Sequence, residues 1–120
     1  MSLQESGEMY LETILILERK NKDVRSIDIA RELNYSKPSV SRAIGLLKKD
    51  EYIVVDNKGY ISFTDKGRQI ALRIYDLHNT LYSFFESIGV SHDVAIADAC
   101  RIEHVISDET MIKIKEHMEK

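Results

Sequence analysis

The sequence predicts a mostly α fold carrying one small β-hairpin. One proline and five glycines among 120 residues leave few helix breakers. Apolar residues recur at helical spacing along most of the chain. One short region departs from that spacing: "YIVV" and "YISF" are β-branched and aromatic, and they flank "DNKG", whose Asn and Gly suit a tight turn with positive φ. With 43% hydrophobic and 31% charged residues, the composition is that of a soluble globular protein of one compact unit or two small ones. No run approaches the roughly 18–20 apolar residues of a membrane span, and no signal peptide opens the chain, so a cytoplasmic protein without a membrane partner is expected.

The elements follow in order. "EMYLETILILERKN", residues 8–21, places Tyr10, Leu11, Ile14, Leu15 and Leu17 on one face and Glu8, Glu12, Glu18, Arg19 and Lys20 on the other, an amphipathic helix. Ser26 precedes "IDIARELN", a short second helix with Asn34 as its stop. After about three residues comes a third helix, with Ser36 as N-cap, Pro38 in a first turn that needs no amide hydrogen, and Val40, Ile44 and Leu47 along one face. The hairpin follows, with Lys58 at its tip. Thr64 caps a long helix that Gly89 stops, and Ser91 and Ser107 open two more.

Helix, helix, short turn, helix, hairpin is the winged helix-turn-helix order. In that arrangement the last helix of the pair lies in the DNA major groove and the hairpin reaches phosphate or the minor groove. Ser36, Lys37, Pro38, Ser39, Ser41 and Arg42 form the start of that helix, where backbone amides and the helix dipole also favour phosphate, and Lys58 lies on the wing. An ordinary solvated helix face has the same composition. What favours DNA is coincidence with local charge: residues 36–68 hold seven Lys or Arg against four Asp or Glu, whereas residues 69–120 hold five against nine.

The stretch "DACRIEHVISDE", residues 98–109, holds the only cysteine, which excludes an internal disulfide. In a helix, Cys100, Glu103 and His104 stand at i, i+3 and i+4 on one face, so a thiolate, a carboxylate and an imidazole would meet at one point. All three donate to divalent transition metals. The plainer reading takes Cys100 as a small buried apolar residue, Glu103 as solvated and His104 as a capping or packing residue.

Three blocks, "EMYLETI", "SKPSVSRAIGLLKKDEYI" and "DACRIEHVISDE", together resemble the diphtheria toxin repressor family of metal-dependent transcriptional repressors, which includes iron-dependent repressors and manganese transport regulators. The resemblance implies a winged helix-turn-helix DNA-binding domain, residues 1–63, followed by a helical metal-binding and dimerisation domain, residues 64–120. It implies metal ligands at Met9, Cys100, Glu103 and His104, the primary site of the iron-responsive branch, with Met9 as plain core filler the alternative for that residue. The branch's ancillary site is matched at His78 only, because Tyr82 and Ile96 occupy its other two positions. Glu12 and His78 match ligand positions of the manganese-responsive branch, which the short chain also resembles. Thioether and thiolate donors suit Fe(II), Co(II), Ni(II) or Zn(II), and two carboxylates with two imidazoles accept Mn(II). Fe(II) is favoured and Mn(II) is next, while Co(II), Ni(II) and Zn(II) are expected to bind in vitro.

The expected function is a homodimeric repressor that binds double-stranded operator DNA with the metal as co-repressor, bridging the two domains and controlling metal-homeostasis genes. The long helix supports the dimer: Ile70, Leu72, Ile74, Leu77, Leu81, Phe84 and Phe85 are more apolar surface than one small helical unit easily buries. The alternative is a winged-helix regulator that senses an organic ligand or redox state through Cys100. An enzyme is not expected, since no glycine-rich loop, nucleophile elbow or separate acid/base pair is visible and the ligand set leaves little open coordination.

Overall fold

The computed structural model of the chain describes residues 5–20 and 23–120. Six helices and one hairpin follow in the order α1 (Glu5–Lys20), α2 (Ser26–Leu33), α3 (Lys37–Lys49), β1 (Ile53–Val55), β2 (Ile61–Phe63), α4 (Asp65–Ser87), α5 (His92–Ile102) and α6 (Asp108–Met118). This is the predicted mostly α class, an N-terminal winged helix-turn-helix followed by a helical part. Chain contacts divide it into two compact units, one ending at Leu72 and the other beginning at Arg73.

In the N-terminal unit α1, α2 and α3 pack on one another and α3 packs on β1. Leu11, Ile14, Leu15, Ile29, Val40 and Ile53 are fully buried, so the predicted apolar faces are the ones removed from water. α1 starts three residues earlier than the apolar pattern places it, and Asn21, its predicted end, lies outside the described residues. α2 begins at Ser26 itself, with Arg25 as N-cap. A guanidinium accepts no hydrogen bond, so the cap works through the other partner: Asp28 Oδ2 accepts the Arg25 amide at 2.8 Å. Asn34 closes α2 in the left-handed conformation, φ 57°, and Tyr35 donates its amide to the Ala30 carbonyl at 3.1 Å. Ser36 caps α3 as expected, accepting the Ser39 amide at 3.3 Å.

The strands pair antiparallel, Ile53 with Phe63 and Val55 with Ile61, and Val24 adds a bridge to Ile61. In the turn, Asp56 Oδ1 accepts the amides of Lys58 and Tyr60, both at 2.9 Å, and Gly59 has φ 87°. Thr64 accepts the Gly67 amide at 3.1 Å to cap α4. Gly67 is required there by space, because a Cβ would run into the Tyr52 carbonyl.

The C-terminal unit packs around Leu81, Ala99 and Met111, against which lie Leu77, Tyr82, Phe85, Ile102, Ile106 and Ile114. Gly89, φ 99°, lies just past the end of α4, and Ser107 caps α6 by accepting the Thr110 amide at 3.2 Å. Ser91 occupies the N-cap position of α5 without a side-chain cap bond. Among the described residues no helix is long and apolar enough to cross a membrane.

Candidate metal centre and nucleic-acid interface

α5 ends at Ile102, so only Cys100 of the CxxEH stretch is within the helix; Glu103 is its C-cap and His104 lies in the following turn. Glu103 keeps αR dihedrals and donates its amide to the Ala99 carbonyl at 3.0 Å, which holds it one turn after Cys100. Ala99 is fully buried and Leu81 nearly so. These small and large apolar residues hold α5 beside α4, and His78 comes from α4.

His78 Nδ1 lies 2.9 Å from Glu103 Oε2 and 3.8 Å from Cys100 Sγ. One donor atom from each of His78, Cys100 and Glu103 lies within 4.8 Å of the others. The Glu103 side chain has no exposed surface, His78 is mostly covered and Cys100 is exposed. Hydrogen bonding to Cys100 and to the Glu103 carboxylate raises the His78 pKa from 6.5 to about 10, against the opposing effect of burial. His104 Nε2 stands 3.3 Å from Glu103 Oε1, an ion-pair separation, yet Oε1 receives no hydrogen bond among the described residues. Cys100, Glu103 and His104 therefore do not meet at one point as a continuous helix would place them. Cys100 and Oε2 share His78, and His104 is on the other oxygen.

A buried carboxylate oxygen without a hydrogen bond is costly unless a cation meets it. Here His78 Nδ1 lies at Oε2 with Cys100 Sγ near it, and His104 Nε2 lies at the unbonded Oε1, so the carboxylate has the nitrogen and sulfur ligand types of a transition metal about it. The residues fit a divalent metal. His78, Cys100 and Glu103 would hold it, and it would supply positive charge beside the buried Glu103 carboxylate.

Two further residues implied by the resemblance, Met9 and Glu12, are on α1 of the N-terminal unit. Glu12 is buried. Met9 is half-buried, its carbonyl accepts the Thr13 hydroxyl at 2.9 Å, and its Sδ accepts the Tyr35 hydroxyl at 3.9 Å. Tyr82 donates to or accepts from His92 Nδ1 at 2.8 Å, and hydrogen bonding to Glu86 raises its pKa. Ile96 is exposed.

Ser36, Lys37, Pro38, Ser39, Ser41 and Arg42 are all exposed on the first turns of α3, and Lys58 is exposed in the wing turn. The Ser36 and Ser39 hydroxyls bond each other at 2.8 Å. Lys37 and Ser41 line an open cleft of about 210 Å³ together with Ser26 and Ile27 from the start of α2. Sequence reasoning passed over Ser26 as a surface group, and also Arg25, whose guanidinium is 5.1 Å above the Tyr60 ring of the wing. Arg25 and Tyr60 are 35 positions apart, so no local pattern pairs them.

Residues 2–61 match the family description "Iron dependent repressor, N-terminal DNA binding domain", and residues 64–120 match "Iron dependent repressor, metal binding and dimerisation domain". An uncharacterized HTH-type transcriptional regulator of Methanocaldococcus jannaschii is 32% identical over 98% of this chain and 96% of its own length. The chain belongs to the iron-dependent repressor family. Another relative, the iron-dependent repressor IdeR of Mycobacterium tuberculosis, is 32% identical over 89% of this chain. A solved structure of the manganese regulator SloR, 22% identical, shares the fold with a TM-score of 0.83 over 99% of this chain. The chain spans about half the length of these last two, 47% of the IdeR and 55% of the SloR chain.

Proposed function

We propose that this family member is a metal-dependent transcriptional repressor, with residues 1–63 as its DNA-binding half and residues 64–120 as its metal-binding and dimerisation half. The observation that carries the reading is Glu103: a carboxylate with no exposed side-chain surface and one oxygen lacking a hydrogen bond, beside His78 and Cys100, in a chain whose other unit is a winged helix-turn-helix. Cys100, Glu103, His104 and His78 belong to the C-terminal half, while Met9 and Glu12 belong to the N-terminal half. A ligand set drawn from both halves selects one placement of the α3 helices for operator DNA, and linkage then requires that DNA tighten metal binding by the same factor. Couplings of this kind are about 1–3 kcal/mol.

Fe(II) is the favoured co-repressor and Mn(II) the next, because Met9 and Cys100 are softer donors than Mn(II) prefers. A symmetric homodimer is proposed through the C-terminal half, where Ile88, Val94, Val105 and Ile112 leave apolar surface exposed. The genes under its control are those of metal homeostasis.

The test is operator affinity at buffered free Fe(II), Mn(II), Co(II) and Zn(II), on DNA selected from random sequence by the metal-loaded protein. Tighter binding with metal, lost in Glu103→Ala, is the expected result. Equal affinity with and without every metal would overturn the co-repressor reading.

A further inference from the structure

We propose that Tyr35 is a positioning residue that ties the Met9 thioether to the turn preceding α3 and exchanges it for DNA when Met9 becomes a metal ligand. The proposal rests on the reading of Met9 given above, and it concerns the N-terminal unit alone. Tyr35 lies in the three-residue turn between α2 and α3, directly before Ser36, the cap of α3. Its ring stacks edge-on to Tyr10 of α1, centroids 6.3 Å apart, and its hydroxyl donates to Met9 Sδ at 3.9 Å. Tyr10, next to Met9 in sequence, is 7% exposed and so forms a firm wall for that ring, whereas Tyr35 is 44% exposed.

The turn is not free to absorb a displacement. Asn34 is held in the left-handed region at φ 57°, the Tyr35 amide is bonded to Ala30, and Ser36 is committed to capping α3. A thioether is a weak acceptor, and one that gives a lone pair to a metal is weaker still. When Met9 does so, the Tyr35 hydroxyl loses its partner; Tyr35 is itself exposed and directly precedes Ser36, and Lys37, Ser39 and Ser41 in the first turn of α3 are exposed as well. A phosphate oxygen of DNA lying on that turn is the stronger acceptor, since it is charged. Tyr35 then contributes to DNA binding only in the metal-loaded protein, which makes it a specific carrier of the coupling and not a general DNA contact.

Tyr35→Phe tests this, because it keeps the ring and its contact with Tyr10 and removes the hydroxyl alone. In the metal-free protein the Met9 methyl resonance should shift in the variant, while operator affinity stays within about twofold of wild type. With anaerobic Fe(II), the metal-induced gain in operator affinity should fall by about three- to tenfold, the worth of one hydrogen bond, and Fe(II) affinity measured without DNA should not weaken. An unshifted Met9 methyl, or a gain equal to that of the wild type, would overturn the inference while leaving the repressor reading standing. No gain in the wild type would overturn both.

Discussion

The two units differ in where they keep their charged groups. In the N-terminal unit the groups assigned to DNA, Lys37, Arg42 and Lys58, are all exposed, over a core of fully buried aliphatic side chains. In the C-terminal unit the central group, Glu103, is buried, with His78 at one carboxylate oxygen and His104 near the other. Surface charges cost little to hold and are adjustable one at a time. A buried carboxylate is stable only with its partners in place, so the C-terminal unit is built to notice what neutralises it.

Four measurements sharpen or break that contrast. The largest effect is expected from Leu81→Ala, which empties the centre of the small C-terminal core beside the helix that carries His78; loss of about 2–5 kcal/mol is expected in urea unfolding. Metal affinity should fall with it, whereas a loss of stability with unchanged metal affinity would show that the site does not depend on this core.

Next in size is Glu103→Gln. In wild type a metal at 100 times its dissociation constant stabilises the fold by about 2.7 kcal/mol, seen as a rise in Tm by circular dichroism. The variant should lose most of that rise, and a full rise in the variant would break the assignment of Glu103 as the central ligand.

The third concerns His78 in the metal-free protein. Its pKa is raised from 6.5 to about 10 by Cys100 and Glu103. A group with a raised folded-state pKa contributes stability that is fully present below 6.5 and is lost as pH climbs through about 10. Metal-free wild type should therefore lose stability across that window relative to His78→Gln, as measured by urea midpoints at stepped pH. Parallel curves would mean that His78 is not held as the imidazolium.

The smallest effects belong to the exposed face. Lys37→Ala, Arg42→Ala and Lys58→Ala should each weaken DNA binding with similar loss across sequences, lowering the salt slope by about one unit per phosphate contact removed. Stability should stay within about 0.5 kcal/mol of wild type. A large stability loss in any of them would erase the contrast between the units.

Most of the fold was legible because its signals are local. Ser36, Thr64 and Ser107 act as caps through amides three residues on, and the β-branched and aromatic runs flanking "DNKG" specify the hairpin from neighbouring residues. The same locality explains two misses. Ser26 carries the right chemistry for an N-cap but sits one residue inside α2, since Asp28 reaches back to the Arg25 amide. The helical spacing of Cys100, Glu103 and His104 gave one meeting point, whereas in the structure His78 with Cys100 lies at one oxygen of Glu103 and His104 at the other.

By itself, the sequence determined the helices, the wing, the polar start of α3 and the donors grouped in residues 100–104, because each depends on contacts within about one turn or one hairpin. Only the tertiary structure decided that His78 faces Glu103 across 25 positions, that the Tyr35 hydroxyl finds Met9 across 26, and that Arg25 lies over Tyr60. The reason is physical: periodicity tells which face of a helix leaves water, but which side chain it meets there depends on how helices cross, and that is settled by the packing of the whole core.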